Sequence, residues 1–188
     1  METTVQNKVW TDDELMSLPD NGNKYEVMNE ELIVSPAGIE HEEIGVRLIV
    51  ALASFVRANK LGIVCGSSAG YWMNTREYFL SPDVSFIAKE RLGGLKRAPK
   101  KFFDGAPDLA VEVLSPRDTI EALHEKIVEY FKNGTRLMWV LNPEEQIVLV
   151  YHAPQPDKLL RASDALDGEN VIPGFSMPVS ELFSEFEF

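Results

Sequence analysis

The sequence predicts an α/β fold, in which a mixed β-sheet is flanked by helices and preceded by a β-hairpin. Two segments, 39–59 and 119–132, carry apolar residues at helical spacing. Short apolar runs bounded by glycine, proline or asparagine lie between and after these segments, a pattern that indicates strands. No internal repeat or linker interrupts the 188 residues, so we expect one domain over 1–188.

A short helix and a hairpin are predicted before the first long helix. Thr11 and Glu14 have the spacing of a capping box, which predicts a helix through about Ser17. Residues 24–34 alternate between polar and apolar side chains. We therefore expect a hairpin there, with its turn near Asn29-Glu30.

The segment 39–59 is predicted to be a long helix that packs against the sheet. Its buried face is expected to consist of apolar residues at helical spacing, namely Ile44, Leu48, Leu52 and Phe55. His41 precedes this face by about one turn and leans towards it. It is either a functional group or a hydrogen-bonded core residue, and a lone histidine on an apolar face is more often the latter.

The remainder of the chain is predicted to complete the sheet around a second helix, 119–132. The expected strands are 63–73, 78–87, 109–114, 136–141 and 146–151. The strand 109–114 is expected to be central, because both of its faces are largely apolar. The inward residues of the second helix are expected to be Leu123, Ile127 and either Tyr130 or Phe131. Beyond residue 151 the pattern indicates turns and an acidic, aromatic end.

Composition excludes several classes of protein. The apolar fraction of 45% is that of a globular chain, and no apolar run is long enough for a membrane span. Cys65 is the only cysteine, which excludes an intrachain disulfide and a thiolate zinc cluster. The N-terminal residues lack the basic and then apolar pattern of a signal peptide. We therefore expect a cytoplasmic protein without a membrane partner.

Two acidic residues lie where strands should be buried. Glu112 interrupts the apolar strand 109–114, and Asp83 follows Pro82 within the apolar segment 78–87. An ionised carboxylate in an apolar interior is costly unless it is paired, protonated or bound to a metal. If the two carboxylates converge, they form a site of oxygen ligands for a hard cation. The alternative is a structural ion pair together with an acid at a turn.

Lys126 lies at the border of the buried face of the second helix, which packs back on the sheet after the Glu112 strand. Its ammonium is expected to reach the strand carboxylates, or else to extend to solvent along apolar surface. Asp83, Glu112 and Lys126 together would suit phosphodiester hydrolysis. The carboxylates would hold Mg²⁺ or Mn²⁺, the ion would lower the pKa of a bound water, and the lysine would position that water. His41 would add a ligand, a base or a phosphate contact.

The net charge of −12 argues against a nucleic-acid binder, since such proteins usually carry a basic surface. One stretch, 89–101, is an exception with a single acid, Glu90. Its basic residues are Lys89, Arg91, Lys96, Arg97, Lys100 and Lys101. We predict a mobile, exposed loop at the rim of the acidic site, where it would bind the phosphates of DNA. The alternative is a solvated loop without a partner.

Several of these motifs occur together in a known family. They are Lys24-Tyr25-Glu26-Val27, His41, Ser81-Pro82-Asp83-Val84, the segment 106–116, Asp118, Glu125-Lys126, Tyr130, Asn133-Gly134 and the segment 138–143. As a set, which runs from about Trp10 to the C-terminus, they resemble the Uma2 family of restriction endonucleases, within the PD-(D/E)XK superfamily.

The resemblance implies a restriction-endonuclease-like fold and metal-dependent cleavage of DNA. It implies that Asp83 and Glu112 are the metal carboxylates, with Mg²⁺ or Mn²⁺ as the ion, and that Lys126 is the catalytic lysine. Leu114 occupies the position of the superfamily's usual lysine, so the lysine must reach the site from the second helix. Duplex cutting needs two active sites, which makes a homodimer on duplex DNA the expected assembly.

A function of another class stays open. The acidic net charge and Leu114 favour a catalytically silent relative that acts in binding or dimerisation. The joint presence of Asp83, Glu112 and Lys126 favours the endonuclease. A glycosidase built on a carboxylate pair has less support, because nothing indicates sugar-stacking aromatic residues at the site.

Overall fold

The computed structural model of the chain describes residues 9–36 and 38–185. It confirms the predicted fold class, a mixed β-sheet flanked by helices with an N-terminal hairpin. The first residues of the chain and the end of its acidic, aromatic tail lie outside the described residues.

The predicted helices are present, with one short addition near the C-terminus. In chain order they are α1 (Asp12–Met16), α2 (Ile39–Asn59), α3 (Ile120–Lys132) and α4 (Val179–Leu182). Thr11 and Glu14 form the predicted capping box at the start of α1. Within the described part of the chain, no helix combines the length and the apolar character needed to cross a membrane.

The larger sheet contains six strands. In spatial order they are β11 (Pro156–Leu160), β10 (Ile147–Tyr151), β9 (Leu137–Asn142), β8 (Leu109–Val113), β6 (Val84–Ala88) and β3 (Gly62–Gly66). β8 pairs in parallel with β9 and antiparallel with β6. It is therefore a central strand, as predicted.

Two smaller sheets complete the fold. The five-stranded one has the order β2 (Glu31–Pro36), β1 (Asn23–Met28), β5 (Phe79–Leu80), β4 (Tyr71–Trp72) and β7 (Phe103–Asp104). The two-stranded one pairs β12 (Ala165–Asp167) with β13 (Ser176–Pro178). β1 and β2 form the predicted hairpin, and its turn residues Asn29 and Glu30 have φ values of 50° and 68°.

The larger sheet separates two apolar layers. Val111 and Val113 of β8 pack with Leu48 of α2 on one side, whereas Ala110 lies in a second cluster with residues of α3. Leu48 is fully buried, and burial of such a side chain contributes about 1.5–3 kcal/mol. Because side chains alternate along a strand, Glu112 lies on the same side as Ala110.

Two predicted strands are wrong as continuous elements. The segment 63–73 contains β3 and β4, and the segment 78–87 contains β5 and β6. Each segment therefore contributes one strand to the six-stranded sheet and one to the five-stranded sheet. A turn closed by the bond from the Ala69 N–H to the Gly66 carbonyl separates the first pair. Pro82 separates the second pair, since it has no N–H to donate to a ladder. Asp83 consequently stands where the chain crosses from one sheet to the other.

The region after residue 151 is more regular than predicted. It contains β11, β12, β13 and α4 in addition to turns. These strands have three to five residues and mostly exposed side chains, so they carry little of the apolar periodicity by which strands are recognised in a sequence.

Candidate active site

Four predicted site residues line one cleft. His41, Asp83, Glu112 and Lys126 all contribute to the wall of a cavity of about 330 Å³. They come from α2, the start of β6, β8 and α3 respectively. The cleft therefore lies at the junction of the six-stranded and five-stranded sheets, beside the start of β6 and between contributions from α2 and α3.

The register of the larger sheet brings the two predicted carboxylates together. Val84 of β6 pairs with Val111 of β8 in an antiparallel arrangement, which places the preceding Asp83 beside the following Glu112. Both side chains are buried, with relative exposures of 4% and 5%. Like charges on adjacent strands repel one another, so this pair requires a cation nearby.

Lys24 of β1 provides that cation. Its ammonium Nζ lies 2.8 Å from Asp83 Oδ1 and 3.7 Å from Glu112 Oε2. Burial lowers the pKa of the Lys24 ammonium, but the surrounding carboxylates of Glu112, Glu26 and Asp83 raise it above its ordinary value. Lys24 is therefore charged at neutral pH and bridges the two acids.

Asp83 is the most strongly stabilised carboxylate of the cleft. Burial raises its pKa, but Lys24 and His41 outweigh this effect and hold the pKa well below its usual range. Its Oδ2 also accepts a hydrogen bond of 2.8 Å from the Val113 backbone N–H. Asp83 is thus ionised across the physiological pH range.

Lys126 reaches the site from α3, as the resemblance implied. Its Nζ lies 2.5 Å from Glu26 Oε2 and 3.7 Å from Glu112 Oε2. The second oxygen of Glu26 accepts a bond of 2.9 Å from the Ser81 backbone N–H. Glu26 therefore fixes the lysine against the cleft wall, and the alternative of an ammonium extended to solvent is wrong.

Glu112 has the least favourable surroundings of the three acids. Its Oε1 accepts a hydrogen bond of 2.9 Å from the buried Tyr130 hydroxyl. Its pKa is raised because burial penalises the charged form more strongly than Lys126 and Lys24 stabilise it. A further cation at Oε2 would remove this penalty.

His41 points into the cleft, as predicted. Its Nε2 lies 3.2 Å from Asp83 Oδ2, and that hydrogen bond is the main reason that the His41 pKa is raised. The buried Nδ1 has no hydrogen-bond partner among the residues that the structure describes. Glu42 Oε1 lies 3.9 Å from this nitrogen, too far for a hydrogen bond, whereas a core histidine would usually be satisfied at both nitrogens.

The sequence analysis assigned no site role to Lys24, Glu26 or Tyr130. Lys24 and Tyr130 contact the predicted acids, and Glu26 contacts the predicted lysine, Lys126. Lys24 and Glu26 alternate with Tyr25 and Val27, a pattern that indicates a strand with one solvated polar face. Their contacts span 59 and 100 residues of sequence, so no local pattern could reveal them. The motif Lys24-Tyr25-Glu26-Val27 was the one available signal.

The basic residues of the stretch are exposed, as predicted, but none of them lines the cavity. Lys89 follows the end of β6 opposite Asp83, about 20 Å away at the rise of an extended strand. Lys101 lies nearer the cleft, since it pairs with Asp13 of α1 at 3.1 Å and precedes Phe102, which lines the cavity. A position at the rim is therefore supported for Lys101 and not for Lys89, and for the other basic residues it stays a prediction.

Arg91 differs from the rest of the stretch because its side chain is occupied. Its Nη1 donates to the Ala106 carbonyl at 2.5 Å and lies 3.6 Å from Asp108 Oδ2. Its guanidinium also lies over the ring of Phe103. These contacts fix the loop to the sheet and leave less of the guanidinium for a phosphate. The DNA-binding role of the stretch stays a prediction.

The donor set of the cleft suits a hard divalent cation. Within 9–36 and 38–185, no group of three or more His, Cys, Asp and Glu side chains is arranged to hold a metal ion. Mg²⁺, however, is commonly held by one or two carboxylates, with water and substrate phosphate as its other ligands. The Lys24 ammonium stands in for a cation between Asp83 and Glu112, so those two residues fit the ion.

Comparisons with known proteins identify a family and a similar solved structure. Residues 12–180 match the model of the Uma2 family, whose description is "Putative restriction endonuclease". A crystal structure from Anabaena variabilis ATCC 29413, described as a putative nuclease belonging to DUF820, shares the fold with a TM-score of 0.74 and 24% identity. The likeness covers 93% of this chain and 97% of that one. No curated protein is detectably similar.

Proposed function

Since this chain belongs to the Uma2 family, we propose that it is a metal-dependent endonuclease that hydrolyses phosphodiester bonds of DNA. The observation that carries the proposal is the placement of Asp83 beside Glu112, with Lys126 and His41 in the same cleft. Restriction-endonuclease-like enzymes generally use divalent metals, and this pair of carboxylates supplies the matching ligands.

In the proposed mechanism, Asp83 and Glu112 would hold Mg²⁺ or Mn²⁺. The ion supplies Lewis acidity, which lowers the pKa of water and neutralises charge on the phosphate. The water oxygen attacks the phosphorus and gives up a proton to solvent, the bond to one ester oxygen breaks, and that oxygen takes up a proton from solvent.

Lys126 orients the nucleophile and the phosphate in this proposal. Its ammonium is held by Glu26 at 2.5 Å and stands 3.7 Å from Glu112, so it is fixed before substrate binds. A preorganised cation stabilises charge as it develops, because no reorganisation is needed during the reaction. The free Nδ1 of His41 would contact a phosphate oxygen or a water.

The assembly that we propose is a homodimer on duplex DNA, in the cytoplasm. One cleft provides the ligands for cutting one strand, and a duplex has two. The exposed basic residues of the stretch 89–101, other than Arg91, are the proposed contacts to the phosphate backbone.

A catalytically silent binding module is the second candidate. Leu114 favours it, because the superfamily's usual lysine is missing at that position, as does the acidic net charge of −12. The position of Lys126 weakens the argument from Leu114, since the Lys126 ammonium lies beside Glu112 although it comes from another element.

The test is cleavage of supercoiled plasmid DNA with Mg²⁺, Mn²⁺ or EDTA. We expect nicking and linearisation with metal, none with EDTA, and a loss of at least about 100-fold in rate for Asp83→Asn and Lys126→Met. Lys132→Met is the matched control, because Lys132 is an exposed lysine on the same helix. Cleavage that survives Asp83→Asn, or no cleavage with either metal, would overturn the proposal.

A further inference from the structure

The Lys24 ammonium occupies the place where a cation between Asp83 and Glu112 must sit. It donates to Asp83 Oδ1 at 2.8 Å and lies 3.7 Å from Glu112 Oε2. Mg²⁺ binds carboxylate oxygens at about 2.0–2.1 Å. An ion at Asp83 Oδ1 would then stand against an ammonium bound to the same oxygen, and the two cations would repel.

We propose that Lys24 is a built-in competitor for the metal, which must leave the carboxylate pair before a divalent ion can bind there. This inference rests on the proposed function, because it takes Asp83 and Glu112 as the metal ligands. It adds that the metal-free cleft is held together by the protein's own cation. Metal binding is then an exchange of one cation for another.

Charge balance supports an exchange over simple addition. With a neutral His41, three carboxylates (Asp83, Glu112 and Glu26) face two ammonium groups (Lys24 and Lys126), which leaves one net negative charge in the metal-free cleft. A divalent ion added to this set would leave one net positive charge. If the Lys24 ammonium withdraws, the same ion leaves the cleft neutral.

The backbone that carries Lys24 can stay in place while its ammonium moves. β1 is paired with β2 on one side and with β5 on the other. Its end is also held to α3, since the Asn29 amide donates to Glu125 at 2.5 Å. The four-carbon side chain of lysine is flexible, so the exchange requires a rotamer change and no movement of the sheet.

The first test compares Mn²⁺ binding by calorimetry for the wild type, Lys24→Met and Lys60→Met. Lys60→Met is the matched control, because it removes the same charge from an exposed lysine at the end of α2, outside the cleft. We expect Lys24→Met to lower the Kd for Mn²⁺ by on the order of tenfold relative to the control. An equal or weaker affinity in Lys24→Met would overturn the inference.

A parallel measurement on Asp83→Asn separates this inference from the proposed function. If the wild type binds Mn²⁺ and Asp83→Asn does not, the metal site stands, and the Lys24 result alone decides the competition. If Asp83→Asn binds Mn²⁺ as the wild type does, the proposed function fails, and the inference fails with it.

A second measurement uses the wild-type protein, so it does not depend on the folding of a variant. Buried, paired lysine ammonium groups exchange their protons slowly and are visible by ¹⁵N NMR. We expect the Lys24 ammonium signal of the wild type to shift or disappear as Mg²⁺ saturates the cleft. A Lys24 signal that is unchanged at saturation would show that the ion and the ammonium bind together, contrary to the inference.

Discussion

Lys24 and Lys126 each stand between two carboxylates, so the cleft is a row of alternating charges from Asp83 to Glu26. Asp83 and Glu112 could be predicted from the sequence, because a carboxylate in an apolar segment requires an explanation. Their lysine partners could not be paired with them in the same way. A lysine on a strand or helix border has a satisfactory solvated alternative, and the choice depends on contacts distant in sequence.

The effect of Glu112→Gln follows from these pairings. The amide keeps an oxygen for the Tyr130 hydroxyl but removes the negative charge beside Lys24 and Lys126. Lys24 keeps Asp83 as its ion-pair partner, and Lys126 keeps Glu26. We expect the metal-free protein to keep or raise its unfolding free energy in urea melts with EDTA, because burial penalises the charge of Glu112 more strongly than Lys126 and Lys24 stabilise it. We also expect Mn²⁺ to raise Tm in the wild type, by mass action, and not in the variant.

Glu144→Gln is the control for this change, because Glu144 is exposed on the turn between β9 and β10. It should leave both the stability and the Mn²⁺ response unaltered. If Glu112→Gln kept the Mn²⁺ response of Glu144→Gln, Glu112 would not be a metal ligand.

At the scale of elements, the β1–β2 turn has an unfavourable backbone conformation that contacts with other segments hold in place. Asn29 and Glu30 both have positive φ, as in a two-residue hairpin turn that normally favours Asn-Gly. Asn29 tolerates this conformation, but Glu30 has a Cβ that crowds the backbone. The turn is retained because it is tied down: the Glu30 N–H donates to the Glu77 carbonyl, and the Trp10 indole N–H donates to the Glu30 carbonyl.

We therefore expect Glu30→Gly to stabilise the protein by about 0.5–1 kcal/mol. Both of the contacts named above use backbone atoms of residue 30, so glycine keeps them and removes the strain. Glu31→Gly is the matched control, because Glu31 begins β2 with ordinary strand geometry and should lose stability. Urea unfolding of the two variants measures the difference, and a loss of stability in Glu30→Gly would show that its side chain contributes more than its strain costs.

A second group of contacts joins the β10–β11 connection to the β12–β13 connection. His152 lies between two acids, with Nδ1 2.8 Å from Asp157 and Nε2 2.5 Å from Glu169. Burial lowers the pKa of His152, but Glu169 and Asp157 together raise it above its ordinary value. The imidazolium therefore stabilises this junction in its charged form.

The pH dependence follows from the direction of that shift. A raised pKa in the folded state means that the contribution is complete below the unfolded pKa of about 6.5 and is lost as pH rises through the folded value. We expect the stability difference between wild type and His152→Gln to shrink from pH 6 to pH 9, and to stay below about 1 kcal/mol because the pair is partly exposed. Melts at several pH values measure it, and a difference that grows with pH would contradict the assignment.

At the scale of the whole molecule, the fold class and the long elements could be predicted, but the division of the strands between the six-stranded and five-stranded sheets could not. The bounds of α2 and the central position of β8 follow from strong apolar periodicity. The segments 63–73 and 78–87 each read as one strand, because the sequence records local preference and not the sheet that a strand joins. The consequence matters for the site, since Asp83 of the six-stranded sheet reaches Lys24 of the five-stranded sheet because the chain changes sheets beside it.

The acidic net charge and the basic stretch together make a prediction about DNA binding. If the exposed residues Lys96, Arg97 and Lys100 contact phosphates, then replacing all three with glutamine should weaken duplex binding and reduce its dependence on salt. Each lost contact should lower the slope of log K against log salt concentration by about 0.9. Fluorescence anisotropy with a labelled duplex in EDTA, at several salt concentrations, measures both quantities.

The matched control replaces Arg57, Lys60 and Lys132 with glutamine, which makes the same change of net charge at exposed residues of other elements. General repulsion between an acidic protein and DNA would affect both triple variants equally. Contacts made by the loop would affect only the first. Equal affinities and equal salt slopes in the two triple variants would therefore exclude Lys96, Arg97 and Lys100 as contacts to the DNA backbone.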